Sequence, residues 1–358
     1  MKAKHLFFII STIISFTFYA QNNRPQEPKE PFEYNIENVN FKNDLDGISL
    51  AGTLTYSEKG SNFPAVILIS GSGPQDRNSE IMNHKPFLVI ADYLTKRGIA
   101  VLRVDDRGTG ESEGNHNETG LNGFVNDTKS AFEFLKTHNK INPSKIGLIG
   151  HSLGGVIAPI VASENSDISF IVLLAGSGIR GDKLMLLQKE KIERKMGVPE
   201  VGIIQGQNNM KGAYDIILKS DNNRAKLETE LKNYFTLIFG TMLPENQIQT
   251  LSEQLSIPWL ADFIKFDPET SLSKTKCSVL AINGSNDLQV PPNENLENIE
   301  KILKENGNKD VETIQFEKLN HLFQESETGL PNEYATIEQT FSPRVLDEMA
   351  KWIKNRTK

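Results

Sequence analysis

The sequence is poor in the residues that make cross-links and metal sites. Its 358 residues include one cysteine, Cys277, so an intramolecular disulfide is excluded and stability has to come from the packed core. Cys277 begins an apolar run, which favours a buried small side chain over a reactive thiol. Neither C-x-x-C nor H-E-x-x-H occurs, and histidine does not cluster with cysteine. We therefore expect no metal site.

An excess of positive charge is also lacking. The formal net charge is −7, and the composition, with 24% charged and 38% hydrophobic residues, is that of an ordinary globular protein. This balance argues against nucleic acid or an anionic membrane as a partner. A Walker-type glycine–lysine motif and a complete G-x-G-x-x-G are missing, so we expect no cofactor and a small molecule as the partner. The oligomeric state does not follow from the sequence.

The apolar stretch at the N-terminus has the pattern of an export signal. Residues 1–20 combine Lys2 and Lys4, a short apolar core and a final Ala20, which predicts a signal peptide and a secreted or periplasmic protein. An uncleaved anchor is the alternative, although the run is short for a span and contains several Ser and Thr. Residues 21–33 are polar and proline-rich, which predicts a flexible linker.

From residue 34 onward, strand-like apolar runs alternate with helical patterns. A hairpin comes first, and the later strands are predicted at 64–69, 99–104, 146–149, 170–175, 277–282 and 311–316. Alternation of this kind indicates an α/β fold with a mostly parallel sheet and helices on both faces, and ligands then bind at the carboxyl ends of the strands. Residues 34–180 and 265–358 form this core.

The stretch 181–264 interrupts the alternation. It contains helical patterns and no convincing strand, so we expect an all-helical insertion. Above the carboxyl edge of a parallel sheet it would act as a lid and supply an apolar pocket. The alternative is helical decoration packed at one end of the sheet.

A Gly-x-Ser-x-Gly motif, residues 150–154, joins a buried strand to a helix. Such a turn holds its serine in a strained backbone conformation with Oγ exposed above the sheet edge, which makes Ser152 the candidate nucleophile. Leu153 then lies at the start of the helix, where its N–H can stabilise an oxyanion.

The other catalytic candidates each follow a later strand. Asp287 comes after strand 277–282 and His321 after strand 311–316, so the chain order is serine, acid, histidine. The remaining histidines lie in the signal peptide, at a helix end, in polar loops or beside the nucleophile. His321 is therefore the expected base, and Asp287 is expected to orient it.

Two glycine-containing loops follow the strands at 64–69 and 99–104. The first places the Ser72 N–H at a strand end, where oxyanion donation is favoured over phosphate binding. The second, Asp105 to Ser112, mixes charges with glycines. Its Asp105 or Arg107 could be catalytic, but we favour an interpretation in which the two pair to hold the loop.

These motifs together resemble the α/β-hydrolase superfamily from about Tyr34 to Ile353. The stretches on which the resemblance rests are GHSLGG at 150–155, NGSND at 283–287, Asn320-His321 and DDRGTGES at 105–112. The stretch GSGPQDR at 71–77 is similar to that of bacterial esterases and serine-aminopeptidase-like hydrolases. The resemblance implies an eight-stranded sheet, a helical cap after the sixth strand and ester hydrolysis without a cofactor. The chain departs from many lipases in lacking an HGGG sequence.

The expected function is a secreted carboxylesterase that cleaves short-chain esters through an acyl-enzyme on Ser152. Within enzymes, an aminopeptidase-like peptidase would use the same triad and would need a cap carboxylate for the substrate amine. Its candidates are Glu190, Glu193, Glu200 and Asp262. A binding protein on an inactive hydrolase fold, and acyl transfer to an acceptor other than water, are further alternatives.

Overall fold

The computed structural model of the protein describes residues 24–221 and 223–358, which fall into two compact units. One unit contains the sheet and comprises 24–116, 122–178 and 268–358, and the other comprises 117–121 and 179–267. The predicted signal peptide at 1–20 lies outside the described residues. Within them, no helix is both long and apolar enough to cross a membrane.

The sheet has eight strands in the order β1-β2-β4-β3-β5-β6-β7-β8. Their bounds are β1 Tyr34–Asn43, β2 Ile48–Ser57, β3 Phe63–Ile69, β4 Ala100–Val104, β5 Ile141–His151, β6 Phe170–Leu174, β7 Ser278–Gly284 and β8 Val311–Phe316. β2 is antiparallel to β1 and β4, and all other neighbours are parallel. The predicted fold class is therefore confirmed, and the carboxyl ends of β3 to β8 share one edge.

The described residues form eleven α-helices. These are α1 Pro86–Thr95, α2 Leu121–Thr137, α3 Gly154–Glu164, α4 Gly181–Lys195, α5 Glu200–Lys219, α6 Arg224–Phe239, α7 Glu245–Leu255, α8 Pro258–Lys265, α9 Glu269–Leu272, α10 Pro292–Glu305 and α11 Pro343–Arg356. The core of the sheet unit forms where the apolar faces of the helices of this unit meet the strands. Trp352 of α11, 2% exposed, packs edge-on against the Phe170 ring of β6 at a centroid distance of 5.9 Å.

The second unit, in its described part, is built from helices α4 to α8. Its core includes the fully buried Leu231 and Phe235 of α6 and Leu255 of α7. The sequence patterns did not predict α5 and α8. The lid role of this unit stays a prediction.

The segment beginning at Arg24 is attached to the sheet unit, so a flexible linker over the whole of 21–33 is wrong. The Arg24 guanidinium donates hydrogen bonds of 3.0–3.3 Å to four backbone carbonyls, those of Met82, Asn83, Ala335 and Ile337. Gln26 Oε1 accepts from the N–H groups of Thr340 and Phe341. These two side chains satisfy backbone groups of two loops, which composition alone does not reveal.

Candidate active site

Ser152 lies on the tight turn between β5 and α3 with φ at 54°, in the left-handed region that non-glycine residues seldom occupy. Two glycines make the turn possible. A Cβ on Gly150 would lie 2.0 Å from the Gly154 carbonyl oxygen, and a Cβ on Gly154 would lie 2.2 Å from that of Ile69. The Ser152 N–H donates to Leu174 O at 2.9 Å, which ties the turn to the end of β6. Close packing of backbones therefore holds the serine in this conformation.

Asp287 and His321 are brought together by the loops after β7 and β8. His321 Nδ1 lies 2.8 Å from Asp287 Oδ2, and both residues are buried, at 5% and 2% exposure. Asp287 Oδ1 accepts the N–H groups of Gln289 and Val290, each at 2.8 Å. A carboxylate accepts and does not donate, so Nδ1 carries the imidazole proton and Nε2 is left as the proton acceptor.

His151 ties the histidine loop to the residue before the nucleophile. Its ring lies 4.8 Å from the His321 ring between centroids, and its Nε2 lies 2.9 Å from the His321 carbonyl oxygen. Desolvation, with nearby His321 as a second cause, lowers the pKa of His151 to about 3. The ring is thus neutral at pH 7 and donates from Nε2 to that carbonyl. The sequence patterns gave no sign of this positioning role.

The expected oxyanion donors lie next to Ser152 in the chain or next to a residue that packs against it. Leu153 is the N-cap of α3 and is buried, and Gly71, just before Ser72, packs against Ser152. A Cβ on Gly71 would lie 3.4 Å from Ser152 Cβ. In the part of the chain that the structure describes, the N–H groups of Leu153 and Ser72 have no hydrogen-bond acceptor. Free backbone donors beside a nucleophile, one at a helix N-terminus, suit a developing negative charge.

The charged loop after β4 is held by ion pairs, but not by the pair expected. Asp105 binds the Arg77 guanidinium at 2.6 Å, and Arg107 binds Asp46 at 2.5 Å and Asp127 at 2.7 Å. An ion pair between Asp105 and Arg107 is therefore the wrong interpretation. Asp105 faces the loop after β3, whereas Arg107 reaches the β1–β2 turn and α2, because the two side chains leave the backbone in different directions.

Two histidines that the sequence placed in polar loops are buried. His84 is 1% exposed, between Thr340 Oγ1 at 3.0 Å and Tyr334 O at 2.9 Å, and His116 is 5% exposed. Within residues 24–221 and 223–358, no group of three or more His, Cys, Asp or Glu side chains is arranged to hold a metal ion.

Comparison with known proteins finds hydrolases and polyketide transferases. The family model described as serine aminopeptidase S33 (Hydrolase_4) matches residues 84–207, about a third of the chain, which includes Ser152 but neither Asp287 nor His321. The esterase EstD of Thermotoga maritima is 27% identical over 87% of this chain and 66% of its own length. The polyketide transferase ATR5 of Stachybotrys chlorohalonatus is 30% identical over 46% of this chain and 54% of its own. The chain thus spans about half to two thirds of these relatives.

Solved structures share the fold. The α/β hydrolase GrgF from Penicillium sp. sh18 superposes with a TM-score of 0.55 at 16% identity, over 90% of this chain and 99% of that one. The esterase Pf2001 from Pyrococcus furiosus gives 0.55 at 16% identity, over 91% and 92%. At such identities the likeness concerns the fold alone.

Proposed function

We propose that this chain is a member of the esterase-like branch of the α/β-hydrolase superfamily and a serine hydrolase that cleaves short-chain carboxylic esters. The observation that carries the proposal is the combination of a serine at φ 54° on a strand–turn–helix and a buried His321–Asp287 pair tied to that turn through His151. A nucleophile, a base with a free Nε2 and an orienting carboxylate are the three groups that acyl transfer needs.

The chemistry runs in two halves. Ser152 Oγ attacks the ester carbonyl carbon while His321 Nε2 takes the hydroxyl proton, and the resulting oxyanion is held by the N–H groups of Leu153 and Ser72. Collapse breaks the bond to the alcohol oxygen, which receives the proton from His321. Water then attacks the acyl-enzyme with His321 again as base. The bond between the acyl carbon and Ser152 Oγ breaks, Oγ receives the proton from His321, and the acid leaves. Asp287 keeps the imidazole in the required tautomer and stabilises the imidazolium.

The carboxylates of the helical unit favour an esterase over an aminopeptidase. Glu190 and Glu200 both bind Arg194, Glu193 binds Lys189, and Asp262 accepts the Leu121 N–H at 3.0 Å. A peptidase that recognises a free α-amine needs a carboxylate to pair with it, and at least one oxygen of each of these four is already engaged within its own unit. The named activity of EstD points the same way.

Transfer to an acceptor other than water is a second candidate, because one relative is named a polyketide transferase. The triad chemistry is the same up to the acyl-enzyme, and only the second nucleophile differs. Adding alcohols or amines to the ester assay distinguishes the two: a transferase forms the new ester or amide, whereas a hydrolase releases the free acid. We also propose that the protein is exported, as residues 1–20 predict.

The test is a p-nitrophenyl ester series from acetate to palmitate beside a panel of aminoacyl p-nitroanilides. We expect hydrolysis that peaks at short acyl chains, no cleavage of the anilides, and a loss of at least about 10⁴-fold in kcat for His321→Ala with the fold retained. Cleavage of the anilides alone would reverse the assignment in favour of a peptidase. Wild-type turnover by His321→Ala would remove this residue from the mechanism.

A further inference from the structure

The carboxylate of Asp106 accepts hydrogen bonds from both ends of the turn that contains Ser72. Asp106 Oδ1 accepts the Ser70 hydroxyl at 2.6 Å, and Oδ2 accepts the Gln75 N–H at 2.9 Å. The Asp106 N–H in turn donates to Gln75 O at 3.0 Å. Both ends of the stretch 70–75 are therefore attached to a single residue at the end of β4. Within the stretch, Gln75 Nε2 donates to Ser72 O at 3.3 Å.

This arrangement is not explained by ion pairing. Among the described residues, no lysine, arginine or histidine lies within salt-bridge distance of Asp106, although the neighbouring Arg107 binds Asp46 and Asp127. Desolvation, with smaller contributions from the nearby Asp127 and Asp105, raises the pKa of Asp106 to about 7, although the hydrogen bonds from Ser70 and Gln75 act in the opposite direction. A carboxylate with so little charge compensation is a costly way to fasten a loop unless the geometry that it imposes is needed.

The turn that Asp106 holds packs directly against the nucleophile. Asp106, Ser70, Gly71 and Leu153 line one small cavity of about 50 Å³. Gly71 contacts Ser152 on its other side, since a Cβ at Gly71 would come within 3.4 Å of Ser152 Cβ. A displacement of the 70–75 turn would thus move the Ser72 N–H relative to Ser152, while the Leu153 N–H on α3 would stay in place.

We propose that Asp106 is a positioning residue for the oxyanion site: it fixes the turn 70–75 so that the Ser72 N–H is aimed at the oxyanion formed on attack by Ser152. The inference rests on the proposed function, because it assigns a role within that reaction. Its action is on the transition state and not on substrate binding, since an oxyanion donor contributes most where the charge develops.

The test uses three variants. Asp106→Ala removes both acceptors. Asp106→Asn keeps both contacts, because its Oδ1 can accept the Gln75 N–H while its amide donates to the Ser70 hydroxyl, which can act as an acceptor. Asp127→Ala is the matched control: Asp127 lines the same cavity and also has a raised pKa, but it binds Arg107 and Asn43 and not the turn. For each variant we measure kcat and KM on p-nitrophenyl acetate, the rate of Ser152 phosphonylation and the urea unfolding curve.

Asp106→Ala should lower kcat about 10–100-fold with little change in KM, and should slow phosphonylation in parallel, because phosphonylation also forms a charged tetrahedral centre. Asp106→Asn should recover most of both rates. Asp127→Ala should retain wild-type rates even where its loss of stability matches that of Asp106→Ala. Equal losses of rate in the two alanine variants would show that Asp106 has a merely structural role and overturn the inference.

The labelling rate separates this inference from the proposed function. If the wild type hydrolyses no ester but its Ser152 is labelled, the substrate class is wrong, and the slower labelling of Asp106→Ala still supports the positioning role. If the labelling rates of wild type and Asp106→Ala are equal, the positioning role is refuted whatever the substrate. If Ser152 is not labelled at all, both proposals fail.

Discussion

The conformation of Ser152 predicts that glycine at this position gives a more stable protein than alanine does. At φ 54° the Cβ is crowded by the following carbonyl, a conformation that costs an L-residue about 1–2 kcal/mol and costs glycine almost nothing. Glycine loses more backbone entropy on folding, by about 0.4–1 kcal/mol relative to alanine. The difference leaves Ser152→Gly more stable than Ser152→Ala by about 0.5–1 kcal/mol, although both variants lack the hydroxyl of the proposed nucleophile.

The comparison is made by urea unfolding of the two variants under identical conditions. Alanine is the reference because it removes the hydroxyl but keeps the Cβ, so the difference isolates the backbone contribution. The matched control is Ser130 in the middle of α2, which is half-buried and donates to Asn126 O at 2.9 Å. In a helix interior the order should reverse, with Ser130→Ala more stable than Ser130→Gly by about 1 kcal/mol.

The reasoning is refuted if Ser152→Gly is no more stable than Ser152→Ala while the Ser130 pair behaves as expected. A Cβ at position 152 would then carry no free-energy cost in the left-handed conformation, and the backbone of this turn would not be strained. If glycine is the more stable at position 152, the native serine carries a stability cost that is offset by the packing of Gly150 and Gly154.

Two further predictions follow from pKa values that desolvation raises. Asp106 keeps its proton up to about pH 7 in the folded state, whereas an unfolded carboxyl releases its proton near pH 4. The protonated Asp106 therefore contributes its full stabilisation below pH 4, and this contribution is lost as the pH rises to 7. The unfolding free energy of Asp106→Asn minus that of wild type should therefore rise between pH 4 and 8 by about 4 kcal/mol, since each unit of pKa difference corresponds to about 1.4 kcal/mol, and a flat difference would contradict it. Cys277 is partly exposed rather than fully buried as expected, but desolvation raises the pKa of its thiol to about 12, so iodoacetamide at pH 8 should modify it at least about 100-fold more slowly in the folded protein than in urea.

Most of the sheet is predictable because its strands are continuous apolar runs covered on both faces. β6 and β7 begin and end within two residues of the expected bounds. β5 is the exception, because it starts at Ile141, upstream of the expected Ile146, through a polar stretch that includes Pro143. Phe63 on β3 pairs with Ile141, which extends β5 in the N-terminal direction. The register between the two strands then shifts before the apolar run of β5 begins. Tertiary pairing therefore sets this boundary, and local pattern does not.

The sequence patterns do not predict helix α5, whose interior contains glycines, which have a low helix propensity. Gly206 and Gly212 lie in the interior of a 20-residue helix, where glycine costs about 1 kcal/mol relative to alanine. Their use is visible only in the packing of the helices. A Cβ on Gly212 would lie 2.0 Å from Tyr234 Oη, which donates to Asn209 O at 2.9 Å, and one on Gly206 would lie 2.5 Å from Lys189 Nζ. These glycines lower the helix propensity of α5, but they leave room for side chains of the neighbouring helices to pack close to its backbone.

The candidate triad could be located from the sequence because each member follows its own strand and the chain order is diagnostic. The position of Asp106 beside this site could not be located from the sequence, because it depends on which strands are neighbours in the sheet. β3 lies between β4 and β5 in the sheet, so the turn after β3 has Asp106 on one side and Ser152 on the other. In the chain, Asp106 and Ser152 are separated by β5 and α2, and nothing in local pattern joins them. The order of strands in the sheet thus places a charged loop, which the sequence alone presents as an ordinary solvated turn, beside the proposed oxyanion site.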